Sequence, residues 1–217
     1  MVKQFGIIGL GRFGSSVAIT LEKLGYQVIA IDKNESKVDS VKDFVTHARQ
    51  TDATDHESLK EAGISNCDVV VVAIGGDMQN SILTTMVLKD MGIKRIIVKA
   101  SNAMHGKVIE KIGVEKVVYP EKDTGVRIAH QLVSSNILDF IQISTDYSME
   151  EIRISESLKG KTLKDLNLRK RYEIEVLAIK RSDKLIIVPS AEEELSLNDI
   201  LIIIGKTENV RDFEKTV

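Results

Sequence analysis

The ten residues from Phe5 to Gly14 constrain the fold of this chain more than any other segment. Their sequence is F-G-I-I-G-L-G-R-F-G, in which an apolar run leads into Gly9, Gly11 and Gly14 at G-x-G-x-x-G spacing. The following residues, 15–21, favour a helix. A strand, a glycine turn and a helix in this order form the phosphate-binding unit of a Rossmann half. The segment therefore predicts that a nucleotide phosphate binds at the N-terminus of the first helix.

A second apolar strand supports this interpretation. Residues 28–31 are V-I-A-I, and they end at Asp32, eighteen residues beyond Gly14. An acid at this place can accept both hydroxyls of an adenosine ribose. The alternative is a tight glycine turn in a doubly wound fold that has no ligand. Because the glycine motif lies between a predicted strand and a predicted helix, and an acid ends the next strand, we favour nucleotide binding.

Strand and helix patterns alternate over residues 1–122, which predicts an α/β fold built on a doubly wound parallel sheet. The run D-V-V-V-V-A-I at 68–74 is continuously apolar, as expected of a strand buried on both faces. The predicted strands of this Rossmann-like domain are residues 3–9, 27–32, 45–49, 68–74, 95–100 and 116–119.

The region after residue 122 has a different organisation. Residues 123–141 are predicted to form one helix with apolar residues on two sides, which is typical of a helix with a second partner. We expect a crossover helix that packs on another subunit, and packing within its own domain is the alternative. With its linker it spans 123–144. A polar break at 145–148 then opens a small α+β domain, 145–217, with predicted strands at 149–155, 174–180, 184–188 and 199–205 and helices at 160–166 and 207–214.

Composition excludes several classes of function. The net charge is −2, aromatic residues make up 4% and Trp is absent, so a nucleic-acid partner is not expected. The single cysteine, Cys67, excludes an internal disulfide. With neither a signal peptide nor an apolar run long enough to span a membrane, we expect a cytoplasmic protein.

The chain shows no catalytic constellation. Its four histidines lie far apart without metal-ligand spacing, and no nucleophile elbow or Tyr-x-x-x-Lys is present. A protein that binds a nucleotide without transforming it is therefore expected. A small NAD-dependent oxidoreductase is the rival hypothesis, but it needs a proton-transfer residue. A nucleotide-sensing repressor would need a helix-turn-helix or a basic patch, and neither is evident.

The residues predicted to bind the nucleotide follow the carboxyl ends of the parallel strands, where Rossmann ligands lie. The loop 52–54 is expected near the adenine edge, and Thr54 or Asp55 can alternatively cap the next helix. Arg12 can reach phosphate oxygens, and its alternative is a solvated loop charge. The full predicted set is Gly9, Leu10, Gly11, Arg12, Phe13, Gly14, Asp32, Lys33, Asp52, Ala53, Thr54, Ala73, Ile74, Gly75 and Lys99.

Several motifs together resemble the regulator-of-K⁺-conductance family, and more narrowly the regulatory subunits of bacterial Ktr/Trk potassium uptake systems. In the first half they are G-L-G-R-F-G at 9–14, D-A-T-D at 52–55, V-V-A-I-G at 71–75, I-V-K-A at 97–100 and Y-P-E-K-D at 119–123. Further along they are R-I-A-H at 127–130, S-N-I-L-D at 135–139, G-K-T-L-K-D-L-N-L-R at 160–169 and D-I-L-I-I-I-G at 199–205.

The resemblance implies a Rossmann-like ligand domain, a swapped crossover helix and a small C-terminal module. Such proteins assemble as octameric rings beneath an integral-membrane K⁺ transporter subunit of the KtrB/TrkH type. ATP or ADP, and in some members NAD(H), binds the first domain and changes the shape of the ring.

Two further ligands follow from the same resemblance. A divalent cation, Mg²⁺ or Ca²⁺, is expected near Glu121, and the alternative is that Glu121 caps the helix that follows. Some relatives bind cyclic di-AMP between paired C-terminal modules. This chain carries Glu173 and Glu175 at the corresponding positions, and two carboxylates would repel a dianionic ligand, which argues against that activity.

Overall fold

The computed structural model describes residues 3–133 and 137–217 of the chain. It divides into two compact units, Met1–Pro120 and Glu121–Val217. Within the described residues, no helix combines the length and the apolar character needed to cross a membrane.

The first unit contains a six-stranded sheet in which every strand pairing is parallel. Its strands are β1 (Gln4–Ile8), β2 (Gln27–Asp32), β3 (His47–Gln50), β4 (Val69–Val72), β5 (Ile96–Lys99) and β6 (Lys116–Val118). They are ordered β3-β2-β1-β4-β5-β6. The strand order reverses between β1 and β4, and this switch point is where a doubly wound sheet opens a crevice for a ligand. The predicted fold class is confirmed.

Five helices cover this sheet. They are α1 (Arg12–Lys23), α2 (Glu35–Asp39), α3 (His56–Glu61), α4 (Met78–Asp90) and α5 (Ala103–Ile112). Four begin with a side chain that accepts a backbone N–H of the first turn, from Asn34, Asp55, Asp77 and Asn102. Helix α1 differs, because its N-cap is Gly11 and no side chain caps it. The donors of its first turn are therefore left for another acceptor.

The core of the first unit lies on both faces of the sheet. Adjacent residues of β1 belong to opposite layers, since Ile7 and Ile8 fall into different buried clusters. All four residues of β4 are buried, as its continuous apolar run predicts. These layers pack the strands from both sides and fix the places where the loops after them begin.

The second unit is built on a five-stranded antiparallel sheet, ordered β10-β9-β11-β8-β7. Its strands are β7 (Ile137–Gln142), β8 (Tyr147–Arg153), β9 (Glu175–Arg181), β10 (Lys184–Ile187) and β11 (Ile200–Lys206). Its helices are α6 (Pro120–Val133), α7 (Leu163–Leu166), α8 (Leu168–Tyr172) and α9 (Thr207–Glu214). Helix α9 buries Val210 and Phe213 in the core of this unit.

The predicted single helix over 123–141 is wrong beyond Val133. Residues Ile137–Gln142 form β7, which pairs with β8. In this segment Phe140 is buried and Ile141 is exposed, which is the alternation of a strand. The polar break falls at the turn of this hairpin, where the Ile143 N–H donates to the Tyr147 carbonyl at 2.9 Å. Residues 134–136 of the predicted helix lie outside the described residues.

Candidate nucleotide-binding site

The glycine loop crosses the carboxyl end of β4 at close range. Gly9 has φ +94°, and a Cβ on it would lie 3.1 Å from the Ala73 carbonyl oxygen. The Gly9 N–H donates to the Ile31 carbonyl at 2.8 Å, while the Ala73 N–H donates to the Ile8 carbonyl at 2.7 Å. Only glycine combines this backbone conformation with this approach. The loop therefore lies at the switch point between β1 and β4.

Gly11 and Gly14 serve different purposes. A Cβ on Gly14 would overlap the carbonyl oxygen of Gly9, so this glycine lets α1 pack against the loop. A Cβ on Gly11 would have no atom within 4 Å. The open space beside Gly11 adjoins the uncapped N-terminus of α1, so a diphosphate would meet free N–H groups there. The residues present fit such a ligand.

Asp32 is buried at the carboxyl end of β2 and anchors the glycine loop. Its Oδ2 accepts the Leu10 N–H at 2.7 Å, and its Oδ1 accepts the Asn34 N–H at 2.9 Å. Lys37 of α2 approaches Oδ2 at 3.4 Å. The carboxylate predicted to bind a ribose thus also fixes the loop predicted to bind the phosphates.

Lys99, the last residue of β5, reaches toward the glycine loop. Its Nζ lies 5.9 Å from the centroid of the Phe13 ring, within the range of a cation–π contact. A Cβ on Gly75 would lie 3.1 Å from this Nζ, so the missing side chain leaves room for the lysine. Phe13, Gly75 and Lys99, predicted separately from the sequence, are therefore neighbours.

Arg12 is the first residue of α1, and its side chain is exposed. It has no hydrogen bond or ion pair to any described part of the chain. A flexible guanidinium at the helix N-terminus can extend over whatever occupies the space beside Gly11. Neither the phosphate contact nor the solvated alternative is tested by this geometry, and the phosphate contact stays a prediction.

The loop after β3 is held by its own side chains. Asp52 Oδ1 accepts the Thr54 N–H at 2.9 Å and the Thr54 hydroxyl at 2.7 Å, and these bonds lower the pKa of Asp52. Asp55 is the cap of α3, since it accepts the Ser58 N–H at 2.8 Å. Ala53 is buried. These bonds define the conformation of the loop, and its contact with an adenine stays a prediction.

Three other predicted residues lie near this edge or in the second unit. Lys33 is exposed and its carbonyl accepts a hydrogen bond from the Gln50 side chain at 3.0 Å. Ile74 follows β4 and packs against the core. Glu121 lies in the first turn of α6, where an acid is favoured by the helix dipole. Among the described residues, no group of three or more His, Cys, Asp or Glu side chains could hold a metal ion.

The sequence prediction missed Lys37. The only signal available was its position, one turn into a short helix that follows Asp32. Its contact with the carboxylate depends on the direction of α2. Two hydrogen bonds set this direction: the Asn34 N–H donates to Asp32, and the Ser36 N–H donates to the Asn34 side chain.

Comparison with known proteins identifies the family of this chain. The TrkA-N domain family matches residues 5–120, and the TrkA-C domain family matches residues 149–217. The Ktr system potassium uptake protein C of Bacillus subtilis (strain 168) is 45% identical over 217 residues, covering 100% of this chain and 98% of that protein. This chain belongs to the TrkA family. It is a homologue of the regulatory subunits of Ktr potassium uptake systems.

Solved structures share the architecture of this TrkA-family chain. The RCK domain of GsuK is 25% identical with a TM-score of 0.54, and the match covers 99% of this chain and 46% of that one. A structure of GsuK bound to ADP is 26% identical with a TM-score of 0.52, covering 61% of this chain and 34% of that one. This chain thus spans less than half the length of these two GsuK chains.

Proposed function

We propose that this chain is a nucleotide-sensing gating subunit of a Ktr-type potassium uptake system, with its nucleotide site in the glycine-loop crevice of the first unit. The observation that carries the proposal is the uncapped N-terminus of α1, open beside Gly11 and next to the buried carboxylate of Asp32. The ADP-bound GsuK structure supports it, because that protein shares this fold.

Each part of the crevice has a role toward ATP or ADP. Asp32 accepts the ribose hydroxyls, and the N–H groups of the first turn of α1 donate to the phosphates. Lys99 adds a positive charge beside the loop. Arg12 reaches past the β-phosphate to the γ-phosphate, a contact that ADP lacks. NAD(H) carries the same adenosine diphosphate and is the alternative ligand for this site.

The chain acts by changing shape rather than by catalysis. A nucleotide that binds two conformations with different affinities shifts their populations, and an attached transporter responds to that shift. The protein works in the cytoplasm, held at the membrane by an integral-membrane K⁺ transporter subunit of the KtrB/TrkH type.

A homo-oligomer, an octameric ring, is the proposed working assembly. Helix α6 supports it, because Val126, Ile128 and Leu132 expose 40%, 44% and 80% of their surfaces. Apolar side chains on an exposed helix are typical of a face that another chain covers. Light scattering should therefore detect a particle larger than a monomer, and a monomer at micromolar concentration with and without ATP would contradict the ring.

A divalent cation, Mg²⁺ or Ca²⁺, is proposed at Glu121 in the assembled ring. Glutamates from facing copies could hold a hard cation between them, since carboxylate oxygens are ligands that both ions accept. Glu121→Gln should then abolish any cation enhancement of ATP-dependent K⁺ flux. A cation response that persists in this variant means that Glu121 acts only at the start of its helix.

The experiment that tests the function is K⁺ flux through the membrane subunit in liposomes, with this chain added and ATP, ADP, NAD⁺ or NADH supplied in turn. We expect flux with ATP to differ from flux with ADP, because only ATP carries the γ-phosphate. Equal flux with every nucleotide and with none, while the two subunits remain bound together, would refute a gating role.

A further inference from the structure

The carboxylate of Asp32 has little acceptor capacity left for a ribose. A carboxylate offers about four lone-pair sites on its two oxygens. The Asn34 N–H takes one on Oδ1, while the Leu10 N–H and the Lys37 ammonium take two on Oδ2. Both N–H donors are backbone groups fixed by the fold. A ribose that donates two hydroxyls to Asp32 must therefore displace the one mobile donor, Lys37.

The Lys37 contact is suited to displacement. Its Nζ lies 3.4 Å from Oδ2, whereas a well-formed bond between an ammonium and a carboxylate is about 2.7–2.9 Å. The lysine side chain is 48% exposed, while that of Asp32 is 6% exposed. The ammonium can therefore swing into solvent or onto a ligand atom while the carboxylate stays in place.

We infer that Lys37 sets the specificity of the site at the ribose 2′ position. It competes with the 2′-hydroxyl for Asp32 Oδ2, which weakens the advantage of a ribonucleotide over its 2′-deoxy form. It also places a positive charge beside the Asp32 carboxylate, which by itself would repel a 2′-phosphate. The inference rests on the proposed nucleotide site and adds the residue that decides which ribose the site accepts.

Calorimetric titration of the full chain with ADP and 2′-deoxy-ADP tests this inference. In Lys37→Met, the 2′-hydroxyl no longer competes for Oδ2. The preference for ADP over 2′-deoxy-ADP should rise about two- to fivefold, the range expected for a half-exposed ion pair. Lys37→Gln should behave in the same way. Affinity for adenosine 2′,5′-bisphosphate relative to AMP should fall in both variants.

Lys42→Met is the matched control, since Lys42 is an exposed lysine paired with Asp39 at 2.8 Å and makes no contact with Asp32. It should leave the ratio of the two affinities unchanged. A Lys37→Met chain that binds ADP and 2′-deoxy-ADP in the wild-type ratio would overturn the inference and leave the proposed function intact. A wild-type chain that binds neither ADP nor ATP would overturn the proposed function itself, and this inference with it.

Discussion

Each unit of the molecule buries a carboxylate, and the two carboxylates have opposite surroundings. Asp32 in the first unit accepts two backbone N–H groups and approaches a lysine. Glu150 in the second unit is 2% exposed and accepts a hydrogen bond from the Ser148 hydroxyl at 2.9 Å, and its Oε2 has no hydrogen-bond partner in the part of the chain that the structure describes. Burial, and secondarily the charge of Glu214, raises the pKa of Glu150. The first unit thus surrounds its carboxylate with hydrogen-bond donors, whereas the surroundings of Glu150 favour its neutral form.

The surroundings of Glu150 explain this difference. It pairs with Phe140 on β7 and with Ile203 on β11, and both of these side chains are apolar and buried. The charged groups that act on it are Glu214 and Arg211 of α9, and their effects oppose each other. Among the described residues, no backbone N–H replaces the water that this carboxylate lost, so burial disfavours its charged form.

The largest effect expected in the first unit is at Gly14. A Cβ there would overlap the Gly9 carbonyl oxygen, which is backbone and cannot move aside. Gly14→Ala should therefore destabilise the protein by about 1–3 kcal/mol or more. Gly11→Ala should change stability by less than about 0.5 kcal/mol, because its Cβ enters open space, and should weaken ADP binding. Urea unfolding measures the stability of both variants, and calorimetry measures their affinity for ADP. Equal destabilisation by the two substitutions would contradict the different roles of Gly11 and Gly14.

Asp32→Ala should weaken the binding of ADP and of ATP by similar factors, because both nucleotides carry the same ribose. It should also cost about 1–3 kcal/mol of stability, since the Leu10 and Asn34 N–H groups lose their acceptor. Titration of the variant with each nucleotide, beside urea unfolding, measures both effects. A loss confined to ATP would mean that Asp32 contacts something other than the ribose.

Glu150→Gln should change how stability depends on pH. Burial raises the pKa of Glu150 in the folded chain above its ordinary value. The free energy of unfolding therefore falls as the pH rises through the folded-state pKa, because the buried carboxylate becomes charged. The glutamine variant lacks this penalty, and at neutral pH it should be more stable by roughly 1–2 kcal/mol. Thermal unfolding between pH 4 and pH 8 measures the difference in stability between Glu150→Gln and wild type. This difference should shrink as the pH falls, and a difference that stays constant would contradict the account.

Asp199 provides the control for that experiment within the same unit. It is also buried, but Arg181 Nη2 donates to it at 2.8 Å. Asp199→Asn should reduce stability at neutral pH, because Arg181 loses its buried charged partner and keeps only Glu193, at 2.9 Å from Nη1. If Glu150→Gln raises stability and Asp199→Asn lowers it, then a charged partner, rather than burial alone, decides whether a buried carboxylate stabilises this unit.

The smallest effect is expected at Glu175. Its Oε2 lies 2.7 Å from Arg169 Nη2, and the arginine is 82% exposed, so Glu175→Ala should cost at most about 1 kcal/mol. Because Glu173 and Glu175 would repel a dianionic ligand, the second unit should bind cyclic di-AMP weakly or not at all. Submicromolar affinity measured by calorimetry would contradict that expectation.

The sequence predicted the regions in which local pattern and tertiary packing agree. The bounds of β2, Gln27–Asp32, and of α9, Thr207–Glu214, match the structure. The segment 137–141 forms a strand rather than the predicted helix, because its apolar residues suit both structures and pairing with β8 decides between them. The Lys37 contact and the unpaired Glu150 oxygen depend on three-dimensional placement, which hydrophobic periodicity does not encode.

We propose that the glycine-loop crevice binds adenine nucleotides and distinguishes them by phosphate length. Calorimetric titration of wild type and Arg12→Ala with ADP and ATP tests it most directly. Wild type should bind both, with ATP favoured, and Arg12→Ala should lose about 1.5–3 kcal/mol of ATP binding while ADP binding stays nearly intact. A wild-type chain that binds neither nucleotide, or an Arg12→Ala variant that weakens both equally, would contradict the account.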